Sequence, residues 1–267
     1  MARKSKDIEA SALRSLKQFE QKQNLEDTKA QTRVKDNRLA IIATASTFVL
    51  ALASQFVYFT FGPGISPTAC ITFSQTPVPN TGAQPGATVP DASLAECRDW
   101  TGTMQLNNTN LQIKLFGAKA PQAVANFVDL SSMGFYTDIS CHRLTTSGIY
   151  VLQCGDPRGD GTGDPGYTWG PLENAPVAAK EGEAPIYTKG MLAMARTSNS
   201  GSSMGSQFFI VYKDSPIPND AAGGYTVFGE ITAGLTGLNS IIDAGVKDGS
   251  NDGKPKVTTS IKSITVK

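Results

Sequence analysis

The stretch Gly205-Ser206-Gln207-Phe208-Phe209-Ile210-Val211-Tyr212 decides the fold class of this 267-residue chain. Its aromatic and β-branched residues predict a strand over 208–212. Outward from it, similar patterns predict strands at 103–106, 111–116, 141–144, 149–153, 191–195, 226–230 and 258–266, and helices at 120–133 and near 235–244. Eight strands and two helices without β-α-β alternation predict a mainly β fold, a closed eight-stranded antiparallel barrel capped by two helices.

Short runs along the same region make the pattern specific to one family. They are, in chain order, Asn126-Phe127, Gly134-Phe135-Tyr136, His142-Arg143, Gln153-Cys154-Gly155-Asp156-Pro157, Gly161-Thr162-Gly163, Pro165-Gly166-Tyr167, Met191-Leu192-Ala193-Met194-Ala195, Gly205-Ser206-Gln207-Phe208-Phe209-Ile210 and Val227-Phe228-Gly229. Over residues 100–267 the chain resembles a cyclophilin-type peptidyl-prolyl cis-trans isomerase. It is most similar to the membrane-anchored, extracytoplasmic cyclophilins of actinobacteria.

The resemblance implies an enzyme that rotates X-Pro peptide bonds, whose barrier is roughly 18 to 20 kcal/mol. It implies Arg143 as a cationic donor to the prolyl nitrogen and Gln153 as a support for the guanidinium and the bound carbonyl. The further substrate contacts that it implies are Tyr150, Val151, Ala195, Arg196, Phe209, Ile217, Pro218 and Tyr225. It implies no cofactor and no metal. Without the resemblance, Arg143 would be a surface ion-pair residue, and Tyr150, Val151 and Phe209 would be core residues.

Several positions depart from the pattern of the family. Arg196 stands where an Asn is frequent, and Tyr225 stands where many members have His. Ile217, followed by Pro218, falls near the Trp position that is associated with cyclosporin binding. The segments 144–152 and 197–204 are each two residues longer than is common. We therefore expect weakened cyclosporin affinity and an isomerase activity that is retained, though with a reduced rate if the longer loops narrow the site.

Composition excludes several other chemistries. A single histidine, His142, rules out a multi-His metal centre, and a net charge of +1 gives no reason to expect a nucleic-acid partner. His142 precedes Arg143 in a predicted strand, so it should point to the opposite face and belong to the core or support the site from behind. The glycine-rich stretch 159–163 lacks the Lys-Ser/Thr of a phosphate loop. The stretch from Asp248 resembles half a calcium loop, but Thr259 at its twelfth position favours a turn.

The N-terminal third of the chain has a membrane-protein pattern. Residues 1–38 contain ten Lys/Arg against six Asp/Glu and predict a basic cytoplasmic helix. Residues 39–61 carry no charge, and at 1.5 Å per residue they span roughly 34 Å, enough to cross a hydrocarbon core. We predict one transmembrane helix with the N-terminus in the cytoplasm, because the flanking positive charges precede it. A buried core helix is one alternative, and a signal peptide cleaved after Ala51-Leu52-Ala53 is the other.

Residues 62–97 are rich in Pro, Gly, Ser and Thr and predict an extracytoplasmic linker before a domain at 98–267. All four cysteines then lie on the extracytoplasmic side, where oxidation is allowed. Cys141 with Cys154 is a plausible cross-strand disulfide, and Cys70 with Cys97 would tie the linker to the domain. Free buried thiols are the alternative.

Two functions follow from this organisation. The first is a prolyl isomerase in the cell membrane that assists the folding of exported or membrane proteins at its outer face. The second is an accessory or assembly subunit of a larger membrane complex, for example a respiratory one, with the cyclophilin-like domain as an interaction module. The expected partners are proline-containing polypeptides, membrane lipid through one span, and a stable membrane-protein complex.

Overall fold

The structure of the protein, a computed structural model, describes Lys29 and residues 88–267. The predicted cytoplasmic helix, the predicted span, Cys70 and most of the predicted linker lie outside the described residues. Within the described part of the chain, no helix is long and apolar enough to cross a membrane.

Every predicted strand and helix of residues 98–267 has a counterpart of the same type in the structure, in the same order. The helices are α1 (Pro121–Ser132) and α2 (Asn239–Ala244), with short 3-10 helices at Ala92–Ala95 and Leu235–Leu238. The strands are β1 (Asp99–Leu106), β2 (Thr109–Phe116), β3 (Arg143–Thr145), β4 (Val151–Cys154), β5 (Ile186–Tyr187), β6 (Met191–Met194), β7 (Phe208–Val211), β8 (Ser215–Pro216), β9 (Val227–Ala233), β10 (Asp252–Gly253) and β11 (Ile261–Val266).

Nine strands form one antiparallel sheet in the order β10-β3-β4-β7-β6-β9-β2-β1-β11, and β5 pairs with β8 in a small second sheet. The mainly β prediction with two helices is confirmed, but the count of eight strands is wrong, because β5, β8 and β10 lie in segments where no strand was predicted. Closure of the barrel is not confirmed, since no ladder joins β10 to β11 among residues 88–267. The two ends of the sheet do approach each other, because two backbone hydrogen bonds join the segment before β3 to the start of β11. Cys141 N donates to Thr259 O at 2.8 Å, and Ile261 N donates to Ile139 O at 2.9 Å.

The two faces of the sheet carry separate apolar clusters. The larger contains Leu144, Leu152, Leu192, Ile210 and the inward residues of α1. The smaller is made of buried residues from the alternate strand positions and from the β5–β8 region, namely Val151, Tyr187, Ala193, Phe209, Val211, Ile217 and Val227. Successive strand residues point to opposite faces, which explains the division. The smaller cluster supplies the apolar part of the site described below.

Helix α1 begins at a carboxylate from a distant loop. Glu173 Oε1 accepts from Gln122 N at 3.0 Å, and its Oε2 accepts from Ala123 N at 2.9 Å. These two N–H groups are among those that a helix start leaves without a partner. Burial raises the pKa of the Glu173 carboxyl to about 7, although the two backbone hydrogen bonds favour its ionised form. The helix and the loop are therefore coupled through one buried titratable group.

The packed domain starts earlier than the predicted boundary at residue 98. Ala95 is fully buried in the larger cluster and accepts a hydrogen bond from Trp100 Nε1 at 2.9 Å. Pro90 O accepts from Gln122 Nε2 at 2.8 Å. The end of the predicted linker therefore belongs to the domain, since a tight 3-10 turn can bury a small residue in a polar segment.

A disulfide joins Cys141 to Cys154, as the sequence suggested. It links Cys141, two residues before β3, to Cys154, the last residue of β4, so it flanks the paired strands β3 and β4. Cys97 is also disulfide-bonded. Its predicted partner, Cys70, lies outside the described residues, so that pairing stays a prediction.

Candidate active site

One row of side chains crosses five neighbouring strands on the face of the smaller cluster. The strand register pairs Arg143 with Gln153, Gln153 with Phe209, Phe209 with Ala193, and Ala193 with Val227. Residues that are directly opposite in adjacent strands point to the same face. The row therefore places a cation, a neutral amide and an apolar surface side by side.

The guanidinium of Arg143 is held by two partners. Its Nε and Nη2 donate to the two carboxylate oxygens of Asp252, each at 2.7 Å, and its Nη1 donates to Gln153 Oε1 at 3.4 Å. The Asp252 carboxylate raises the pKa of Arg143, and the guanidinium in turn lowers the pKa of Asp252. The side chain of Arg143 is 40% exposed, so a permanent cation remains accessible at the end of the row.

Gln153 connects Arg143 to the glycine-rich loop through a second glutamine. Its Nε2 donates to Gln207 Oε1 at 2.9 Å, and Gln207 Nε2 donates to the carbonyls of Gly161 and Gly163 at 3.0 and 2.8 Å. The loop is itself folded around the buried carboxylate of Asp156, which accepts backbone N–H groups of Arg158, Asp160 and Gly161. The glycine-rich loop thus orients the amide of Gln153 through Gln207.

The apolar part of the site is formed by buried side chains on both sides of Phe209. Val151, Phe209 and Ile217 are 3%, 5% and 7% exposed and belong to one cluster. Ala195 and Tyr225 pack against that cluster. The Tyr225 ring stands edge-on to Phe209 with the ring centres 5.5 Å apart. Five of the predicted substrate contacts are therefore together, beside the Arg143–Gln153 pair.

Arg196 is brought to the same region, but its guanidinium is fully occupied. Its side chain is inaccessible to solvent and forms a two-fold ion pair with Asp220 at 2.8 Å. It also donates to the carbonyls of Thr197, Gly223 and Gly224. These bonds use all five N–H donors of a guanidinium. Arg196 therefore fixes the 219–225 loop, and because its side chain has neither a spare donor nor exposed surface, its predicted contact with substrate can involve only its backbone.

Tyr150 and Pro218 are not among the residues of the Phe209 cluster. Tyr150 packs against the larger cluster, with its ring 6.0 Å from that of Tyr212 and the Lys213 ammonium 4.2 Å from its centre. Pro218 lines a groove with loop residues 175–184. Their predicted roles as substrate contacts stay predictions.

His142 lies behind the site. Its ring edge is next to Gly161, so it supports the glycine-rich loop from below. Burial lowers its pKa, and its Nδ1 is buried without a hydrogen-bond partner within residues 88–267. This placement beside the glycine-rich loop agrees with the expectation of a supporting rather than a reacting histidine.

Two functional residues were not predicted from the sequence. Gln207 belongs to the run 205–210 described above. Its role, however, depends on hydrogen bonds to the carbonyls of Gly161 and Gly163, which lie 46 and 44 residues away in the chain. Asp252 lies 109 residues from Arg143, in a segment that the sequence predicts as a turn.

A fixed cation beside an amide and an apolar wall can polarise a bound peptide group without transferring a proton.

Comparisons with known proteins agree with this geometry. The profile of the family described as "Cyclophilin type peptidyl-prolyl cis-trans isomerase/CLD" matches residues 101–266. The "Probable peptidyl-prolyl cis-trans isomerase B" of Mycobacterium tuberculosis (strain CDC 1551 / Oshkosh) is 45% identical over 168 residues, which cover 61% of this chain and 53% of the relative. The chain thus spans about half the length of this relative. The "Peptidyl-prolyl cis-trans isomerase B" of Bacillus subtilis is 38% identical over 136 residues, or 51% of this chain and 85% of the relative.

Solved structures show the same similarity. A crystal structure of a Cryptosporidium parvum cyclophilin-type isomerase matches with a TM-score of 0.51 and 29% identity, covering 64% of this chain and 98% of the other. A second crystal structure of that protein, in the presence of the dipeptide Ala-Pro, matches with a TM-score of 0.50 and 30% identity, covering 62% and 98%.

Proposed function

This chain belongs to the cyclophilin-type peptidyl-prolyl cis-trans isomerase family, and from that premise we propose that it catalyses cis-trans isomerisation of X-Pro bonds in polypeptides. The observation that carries the proposal is the row in which Arg143, Gln153 and Phe209 are paired across three strands. It combines the cation, the amide and the apolar surface that the reaction needs.

The proposed chemistry is the stabilisation of a twisted amide. In a planar X-Pro amide the nitrogen lone pair is delocalised, and rotation localises it on the nitrogen. The Arg143 guanidinium then binds the twisted state more strongly than the planar one, while the Phe209 cluster holds the proline ring. Gln153 orients the guanidinium and is placed to bind the neighbouring carbonyl. Since arginine stays charged, the rate should vary little near neutral pH.

The test is direct measurement of cis-trans exchange in a blocked proline peptide by NMR, with the full chain in a mild detergent. We expect catalytic amounts of the protein to accelerate an exchange that otherwise takes tens of seconds. An unchanged exchange rate would refute the proposed activity.

We also propose that this activity operates at the outer face of the cell membrane, on exported or membrane proteins. Support comes from the uncharged stretch 39–61, the preceding basic residues and the disulfide between Cys141 and Cys154, which suits an oxidising compartment. The same features favour a single-pass, extracytoplasmic cyclophilin of the actinobacterial type. Protease added to intact spheroplasts should remove residues 98–267 and spare residues 1–38. Protection of the domain would contradict this placement.

A second candidate role is that of an accessory or assembly subunit in a larger membrane complex. It is favoured by the 38 residues that precede the uncharged stretch, which exceed what a tether needs. Extraction in a gentle detergent, followed by identification of proteins that co-purify in fixed proportion, tests it. Purification as a lone chain would contradict the role, and the isomerase proposal does not depend on the result.

A further inference from the structure

We propose that Asp252 is a positioning residue for Arg143, and that this carboxylate determines which guanidinium donors are presented to the substrate. Both oxygens of Asp252 accept from one edge of the guanidinium, from Nε and Nη2, at 2.7 Å each. Paired N–H groups that meet a carboxylate in this way fix the plane of the guanidinium as well as its place. The inference rests on the proposed isomerase activity.

The backbone that carries Asp252 is itself fixed. Strand β10 pairs with β3, with Asp252 opposite Thr145 and Gly253 opposite Leu144. Ser250 Oγ donates to the carbonyl of Asp252 at 3.0 Å, and Ser250 N donates to the side chain of Asp248 at 3.0 Å. Asp252 therefore lies on a strand that is hydrogen-bonded to the strand carrying Arg143, so the two side chains keep their relative position.

The hydrogen bonds leave a defined set of donors. A guanidinium has five N–H groups. Asp252 takes two and Gln153 takes one, which leaves one N–H on Nη1 and one on Nη2 for a substrate. The other arginine of the region, Arg196, keeps none, because protein oxygens accept all five of its N–H groups. Arg143 is thus the arginine of the pair that keeps N–H groups free for a substrate. The contact with Asp252 determines that these groups are on Nη1 and Nη2 and not on Nε.

The carboxylate also opposes catalysis, since its negative charge weakens the field of the guanidinium. The two side chains are 40% and 54% exposed, so water screens much of that electrostatic effect. Directional bonding is less affected by screening, because it depends on contact geometry. We therefore expect removal of the carboxylate to slow turnover.

The experiment compares Asp252→Ala and Asp252→Asn in the full chain, with kcat and KM measured separately by NMR exchange on a blocked proline peptide. We expect Asp252→Ala to lower kcat about tenfold with KM nearly unchanged, because orientation is lost while the apolar pocket remains. Asp252→Asn keeps one acceptor and should recover part of the loss. Asp99→Ala is the matched control, because Asp99 is 48% exposed and pairs with Lys114 at 2.8 Å on strands β1 and β2. It should leave kcat unchanged.

A second readout follows the guanidinium directly. In ¹H–¹⁵N spectra, the Nε–H of Arg143 should be a distinct, slowly exchanging resonance in wild type and in Asp99→Ala. In Asp252→Ala it should exchange rapidly with water. An Asp252→Ala protein that turns over as fast as wild type or faster, or that keeps the protected Nε–H resonance of Arg143, would overturn the positioning role. Failure of the wild-type protein to catalyse exchange would instead refute the isomerase activity on which the inference rests.

Discussion

The guanidinium of Arg196 lies over the ring of Tyr225, with its central carbon 4.6 Å from the ring centre. These are two of the positions at which the chain departs from the Asn and His that are frequent in its family. Their contact shows that the two unusual residues form one structural unit, in which the buried guanidinium of Arg196 stacks on the ring of Tyr225. That ring lies in turn against Phe209. The changes at the border of the site are therefore compensated locally.

We expect Arg196→Asn to loosen the 219–225 loop and to raise KM more than it lowers kcat. An asparagine cannot replace the five donated hydrogen bonds, and Asp220, whose pKa is lowered chiefly by its bonds to Arg196, loses its partner. Peptide titration together with amide hydrogen exchange of the loop measures both effects. The double variant with Tyr225→His shows whether the positions are coupled, since independent residues would give additive changes. Unaltered loop exchange in Arg196→Asn would contradict the structural role.

Arg143→Ala should reduce turnover by about 10²-fold while the fold and peptide affinity are retained, because the cation acts on the twisted state. Arg143→Lys should restore little, since an ammonium cannot make the same paired contacts. Arg98→Ala is a suitable control, because Arg98 is 43% exposed and pairs with Glu96 outside the site. The measurement is the rate of cis-trans exchange of a proline peptide by NMR. A fully active Arg143→Ala protein would show that Arg143 has no part in the mechanism.

Phe209→Ala should weaken both peptide binding and the fold. The ring is 5% exposed and contacts Tyr225 and Tyr187, so its removal leaves a cavity that costs about 3 to 5 kcal/mol. Urea denaturation and peptide titration measure the two losses. Met133→Ala, at a residue 65% exposed, should change neither. Normal stability in Phe209→Ala would mean that the cluster collapses to fill the space.

Glu173 should make the stability of the domain depend on pH. Its pKa in the folded state, about 7, lies above the ordinary value of 4.5. The protonated carboxyl therefore adds to the free energy of unfolding, and this contribution is fully present below pH 4.5 and is lost as the pH rises through 7. The effect is at most about 3 kcal/mol. Urea denaturation at pH 5 and pH 8 should show a larger loss in wild type than in Glu173→Gln. Glu181→Gln, at an exposed position, should behave as wild type, and equal losses in all three proteins would contradict the prediction.

Removal of the Cys141–Cys154 disulfide should destabilise the domain by about 3 kcal/mol, the value expected for a loop of 13 residues. The double variant Cys141→Ala/Cys154→Ala, compared with wild type by urea denaturation, measures this. Peptide mapping without reductant should show the Cys141–Cys154 link and test the predicted Cys70–Cys97 link. A link between Cys70 and Cys154 would contradict both pairings.

The sequence predicts the elements whose pattern is local. Helix α1 and strand β7 are found within one residue of the predicted bounds, because apolar periodicity and strand-forming residues define them. Strand β10 consists of Asp252 and Gly253, two residues with low strand propensity, so only pairing with β3 makes it a strand. The same long-range pairing brings Asp252 to Arg143. Residues of the site that belong to a family motif could thus be predicted from the sequence. A residue such as Asp252, which reaches the site only through long-range strand pairing, could not.

The row from Arg143 to Val227 lies on one face of the sheet, and Arg143 at its end is accessible to water. Under the proposed isomerase activity, a site that is open at this end engages the middle of a polypeptide, and neither terminus of the substrate has to be threaded through the protein. Prolines in long or partly folded polypeptides are then within reach of the proposed activity, provided that the segment around them can reach the Arg143 end, because Ala193, Phe209 and Val227 are at most 5% exposed. Under the proposed activity, we therefore expect selection of a substrate to depend on how far its proline-containing loop protrudes, and much less on its total length.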